Sequence, residues 1–171
     1  ELPIVSDNSE ISNSFDLTKF KKLSARSDMV AKVSFFGKTI SGLSDDVRIS
    51  KRLYLPSYRL RGFERGKVGP VDNDDYIGGN HLTALNMSAT LPNILEGLDN
   101  LDVGIFFDAA NIWGIDYDSS LDDKSTIRSS AGVALNLMTP IGPLSFSFAN
   151  ALSKASSDKT ETFRFNLGTQ F

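Results

Sequence analysis

Cysteine is absent from the 171-residue chain, which excludes a disulfide framework and a thiolate metal site and leaves the redox compartment open. Histidine occurs once, as His81, and without a second histidine it cannot found a typical zinc site. No apolar run approaches the ~18 residues of a membrane helix, so helical spanning is excluded; strand spanning is not, because barrel strands hide their apolar residues in alternation. An excess of positive charge is also missing: 18 basic against 21 acidic residues leave a net charge of -3, with no electrostatic footprint for nucleic acid. Catalytic signatures are lacking too. There is no Gly-x-Ser-x-Gly elbow, His-Glu-x-x-His pair or phosphate-binding glycine loop, so neither enzyme chemistry nor a cofactor is expected. The Asp72-Asn73-Asp74-Asp75 run lacks the spacing and glutamate of a calcium loop and reads as a solvated acidic loop, so no metal is expected. The opening Glu1-Leu2-Pro3-Ile4 has neither the basic nor the apolar region of an export signal, so any such signal is expected outside the chain.

What the chain does have is alternation. From Phe163 to Phe171 an apolar or β-favouring residue falls at every second position: Phe163, Phe165, Leu167, Thr169 and Phe171 share one face, while Arg164, Asn166, Gly168 and Gln170 share the other. One face suits lipid and the other a wet lumen, and a terminal aromatic suits the girdle where membrane strands leave the hydrocarbon. A final strand of a soluble sandwich would carry the same period. Six further segments, each about ten residues long, repeat the pattern at the length a tilted strand needs to cross a bilayer. They centre on residues 11–22, 31–36, 82–91, 101–108, 131–137 and 144–149. In the fourth of these, Leu101, Val103, Ile105 and Phe107 oppose Asp102, Gly104, Phe106 and Asp108, so Asp108 is expected to point inward. Apolar spacing of three and four residues is hardly sustained anywhere, and the 94–98 patch is too short for more than one helical turn.

The connections alternate in length, as in outer-membrane barrels with short periplasmic turns and long outer loops. Short turns are expected over 23–28, 92–100 and 139–141, and long outer loops over 41–78, 111–126 and 153–160. A loop near 40 residues is long enough to suggest function or disorder.

That loop carries Leu60-Arg61-Gly62-Phe63, then Gly66-Lys67-Val68-Gly69-Pro70, then Ile77-Gly78-Gly79-Asn80. With Phe106-Phe107-Asp108-Ala109-Ala110-Asn111-Ile112-Trp113, Ile127-Arg128-Ser129-Ser130-Ala131-Gly132-Val133, Pro140-Ile141-Gly142-Pro143-Leu144 and the closing Phe163-Arg164-Phe165-Asn166-Leu167-Gly168, it resembles the BamA-like outer-membrane protein assembly factors, the bacterial surface antigen barrel family. The resemblance covers about residues 28–171.

It implies an all-β, antiparallel transmembrane barrel of sixteen strands behind periplasmic POTRA modules, with this chain as its C-terminal segment of about seven strands and 1–171 as a single segment. The first strands and the POTRA modules would then lie outside it. Function is implied as folding and inserting unfolded outer-membrane protein precursors, without a cofactor, at the outer membrane, with the C-terminus periplasmic. Implied partners are those precursors, the lipid bilayer, and accessory assembly lipoproteins acting through the absent modules. Related readings are a TamA-type or two-partner secretion translocation barrel, or the barrel of a patatin-like lipase.

In the family the long loop folds into the lumen and docks its Arg-Gly-Phe tip, a role that falls here on Arg61, Gly62 and Phe63. Asp108 is the expected lumenal partner of Arg61, with Arg128 an alternative partner for Asp108; a second family carboxylate aligns with Ser88. Phe163, Phe165, Leu167, Gly168 and Phe171 are expected to form the C-terminal strand signal and one side of a lateral seam. Gly168 either lets that strand bend or makes room for a neighbouring side chain. Trp113 is expected as an interfacial anchor or loop-packing residue.

Overall fold

All seven alternating segments contain a strand, the last of them described as far as Leu167. The computed structural model describes residues 10–24, 28–92, 100–121, 125–140 and 142–167. In chain order the strands are β1 Glu10–Lys22, β2 Val30–Gly42, β3 Val71–Asp72, β4 Asp75–Tyr76, β5 His81–Pro92, β6 Leu101–Trp113, β7 Arg128–Thr139, β8 Gly142–Ser153 and β9 Phe163–Leu167. β1, β2, β5, β6, β7, β8 and β9 form one antiparallel sheet in which each strand pairs with the next. The order never doubles back, so this is a meander, and the outer edges of β1 and β9 have no partner strand among the described residues.

Register explains why the sheet has two unlike faces. Residues directly opposite in neighbouring strands share a face, and here like meets like. Phe35 faces Leu85, Met87 faces Phe107, Ile105 faces Val133, and Phe146 lies between Leu135 and Phe165. On the opposite face Ser34, Asn86, Asp108 and Ser130 run side by side across β2, β5, β6 and β7. A one-residue slip in any pair would exchange the two sets, so the pattern itself fixes the register. Phe15, Phe35, Ile105, Phe148 and Phe165 remain substantially exposed on the outer face. Such a surface would be an aggregation hazard in water and is the normal condition against lipid.

The packed core lies on the inner face, under the 43–80 connection between β2 and β5. Leu53, Leu55, Leu60, Phe63 and Val68 of that connection bury against Ile40, Leu82, Ala84, Ala110 and Ile112 of the strands. This packing corrects two boundaries. β2 runs to Gly42, and β6 continues through Asn111-Ile112-Trp113, because Leu82 pairs with Ile112 and His81 with Trp113 beneath the loop. Trp113 lies against the His81 ring, with centroids 5.5 Å apart.

The long connection also has structure of its own: a 3-10 turn at Ile49–Lys51 and the β3–β4 ribbon. Asn73 and Asp74, with φ of 47° and 71°, make the tight turn of that ribbon, a geometry that favours Asn and Asp. The acidic run is therefore a hairpin turn. Gly168, Phe171 and the 94–98 patch lie outside the described residues.

Candidate functional site

Asp108 is fully buried in the middle of the polar band, between Asn86 and Ser130. Parity puts it there: it lies on the face opposite Ile105 and Phe107 of its own strand. A carboxylate with no solvent must be paired and hydrogen-bonded. Arg61 meets both needs with a two-pronged contact, Nε to Oδ2 at 2.7 Å and Nη2 to Oδ1 at 2.8 Å, while its backbone N–H donates to Oδ2 at 3.2 Å. The Asn86 side-chain amide donates to Oδ1 at 2.8 Å and also to the Arg59 carbonyl at 2.8 Å. One carboxylate thus holds the loop by side chain and main chain together.

The guanidinium of Arg61 lies 3.5 Å from the centroid of Phe106, which sits two residues before Asp108 on the same face. Gly132 on β7 leaves room for that ring, since a Cβ there would fall 2.8 Å from Phe106 Cζ. Gly62 follows Arg61 with φ +87°, and a Cβ on it would lie 3.0 Å from Ala149 Cβ and 3.3 Å from Ser130 Cβ. Only glycine combines that backbone with so close an approach to β7 and β8. Phe63, 1% exposed, fills the apolar core above them.

The structure thus brings Arg61, Gly62, Phe63 and Asp108 together. It overturns the alternative pairing of Asp108, because Arg128 instead binds Asp158, Nε to Oδ2 at 2.9 Å and Nη2 to Oδ1 at 3.2 Å. Ser88 pairs in register with Lys32 and Phe106, and the further polar partner of Asp108 is Asn86, two residues earlier on the same strand face. Sequence reasoning missed Asn86 in this capacity, along with Arg59, which reaches Asp16 on β1 and donates to Ser34 Oγ at 3.0 Å on β2. It also missed Arg164 of β9, which binds loop carbonyls. The signal was available: an arginine or asparagine at an inward position of a membrane strand needs an internal partner. Phe163, Phe165 and Leu167 lie on the exposed outer face of β9.

Below the tip, the inner face carries an open polar cavity of about 450 Å³ whose lining includes Thr18, Lys32, Ser88, Asn136, Ser145 and Asn166. These are hydroxyls, amides and one amine at inward positions of their strands, the character of a wet lumen.

Beyond the sheet, Asp116 in the 114–127 connection ties two loops. It accepts the Val47 N–H at 2.9 Å and the Asn80 side-chain amide at 2.9 Å, and it pairs with Arg52. Burial pushes its carboxyl up, but the Val47 and Asn80 donors and the Arg52 charge outweigh burial and hold it below the usual carboxylate range. A carboxyl lowered in the fold contributes stability that is present above its unfolded value of about 3.9 and is lost as pH falls through the folded value. Deuterium uptake at the Val47 amide, corrected for intrinsic rate, should therefore stay low at neutral pH and rise once the pH drops below about 4, and Asp116→Asn should remove that acid step.

An open meander of long strands, oily outside and polar inside, with a loop docked on its inner face, defines the wall of an outer-membrane type of β-barrel. Residues 3–171 match the Omp85 superfamily domain, and the chain belongs to that superfamily. It is 33% identical over 141 residues to "Outer membrane protein assembly factor BamA" of Neisseria meningitidis serogroup B, covering 66% of this chain and 17% of that protein. The protein of the same name from Neorickettsia risticii is 29% identical over 128 residues, covering 73% of this chain and 17% of that protein. Among solved structures, BamA from Haemophilus ducreyi lacking POTRA domains 1-3 superposes with a TM-score of 0.85 at 26% identity, over 96% of this chain and 35% of that one. The chain thus spans about a sixth of the length of these curated relatives.

Proposed function

We propose that this chain is the C-terminal barrel segment of an outer-membrane protein assembly factor, which folds and inserts unfolded β-barrel precursors into the outer membrane. The observation that carries the reading is the docked tip: a superfamily member places Arg61, Gly62 and Phe63 of its longest loop against a fully buried carboxylate on the inner wall. That arrangement braces a barrel from within.

The work of insertion would then fall to strand edges. Unpaired N–H and C=O groups in hydrocarbon are costly, so the edges of β1 and β9 call for further strands, which larger relatives would supply. A weakly held β9 would form one side of a lateral seam where a precursor strand adds by edge pairing. No covalent step is required. The C-terminus would lie in the periplasm, with the 43–80 and 114–127 connections outside, and accessory lipoproteins would act through periplasmic modules beyond this segment.

Conditional depletion of the full-length parent tests the reading. Folded outer-membrane barrel proteins should fall together and their unfolded precursors accumulate in the periplasm. Unchanged levels of other barrel proteins would refute it.

A further inference from the structure

Arg164 stands on the inner face of β9, and its guanidinium reaches out of the sheet into the loop tip. Nη1 donates to the Ser57 carbonyl at 2.7 Å, Nη2 donates to the Phe63 carbonyl, and Nε meets the Glu161 carboxylate. The side chain is 12% exposed. Its acceptors in the loop are the main-chain oxygens of Ser57 and Phe63, so this one cation grips the loop on both flanks of the Arg61 contact.

The same tip forms a short antiparallel ladder with the chain entering β9. Glu64 N–H donates to the Lys159 carbonyl at 3.0 Å, Lys159 N–H to the Lys67 carbonyl at 3.0 Å, and Glu161 N–H to the Gly62 carbonyl at 3.1 Å. At its far end the tip is fixed on β6 by Arg61 and Asp108. It therefore spans from β6 to β9 across β7 and β8, resting on Ser130 and Ala149 at the point where only Gly62 fits. β9 has five residues paired with β8 and no strand on its other side among the described residues. Among the described residues, β8 holds this strand from one side and the tip holds it from the lumen.

We infer that Arg164 is a positioning residue that couples docking of the loop tip on Asp108 to the hold on the last strand. With the tip docked, β9 is clamped from the lumen; with the tip released, β9 is free to loosen from β8. The use of this coupling in insertion rests on the seam reading above, whereas the coupling itself does not.

Hydrogen exchange on the full-length parent in lipid vesicles tests it, reading the amides of 163–167 against those of β5 and β6. Arg61→Ala, which removes the side-chain part of the β6 anchor, should speed exchange at 163–167 by about tenfold more than at β5 and β6. In an Arg164→Gln background the same change should add much less, because the link is already cut. Arg164→Lys should recover only part, since an ammonium lacks the planar fork that serves two carbonyls. If Arg61→Ala does not fold, Arg61→Lys gives a milder undocking with the same ordering. Unchanged exchange at 163–167 on undocking, or full multiplication of the two effects, would overturn the coupling. Precursor insertion by the same variants separates the two ideas: faster β9 exchange with undiminished insertion upholds the coupling and refutes the seam.

Discussion

Arg61→Ala in the full-length parent should destabilise the barrel by about 3–5 kcal/mol, the range for breaking a buried ion pair from one side. The size follows from what is left behind. Asp108 has no exposed surface, so removal of the guanidinium strands a carboxylate whose remaining side-chain donor is the Asn86 amide. Asp108→Ala should cost less, about 2–3 kcal/mol, because the Arg61 side chain is 21% exposed and its charge can recover some water from the cavity. The double variant should lie well short of the sum, since each single change already removes the same contact. Urea unfolding of the reconstituted protein, followed by loss of the fast-migrating folded form on cold gels, measures all three. Full additivity would mean that the two residues do not act on each other.

Phe165→Arg should cost roughly 2–4 kcal/mol if it lies near the bilayer midplane. Phe165 is half exposed on the outer face, with its ring 5.2 Å from that of Phe146. A guanidinium there must sit in hydrocarbon or drag water and headgroups toward it. Asn166→Arg, one residue on, points into the polar cavity and should cost under about 1 kcal/mol. The pair differs by one position along β9, so propensity and strand pairing nearly cancel between them. A larger cost at Asn166 would mean that lipid lies on the other face.

The seven strands and their two faces were legible because period-two alternation is a local signal and register follows from it. Asp108 could be read as inward from the parity of its own strand, and its pairing with Arg61 from the family resemblance. The strand ends were less legible. Asn111-Ile112-Trp113 look like loop after the Asp108 segment, yet they continue β6 because the folded-back loop buries Ile112. That burial comes from loop residues Val47 to Val68, far off in the chain, and leaves no trace in local spacing. The ribbon at 71–76 was hidden for a different reason: two strand residues on each side of a turn are too few to show a period. Among the partners of the tip, Asn86 and Arg164 sit at inward positions that parity alone identifies. Which loop atoms they meet depends on how residues 43–80 fold, and no pattern along the strands encodes that.

The most direct measurement is the rate at which the full-length parent, reconstituted in vesicles of outer-membrane lipid, inserts an unfolded barrel precursor, compared with protein-free vesicles. The account predicts acceleration without nucleotide, metal or other cofactor, and a loss of that acceleration in Arg61→Ala under conditions where the variant stays folded. Equal insertion rates with and without the wild-type protein would contradict it.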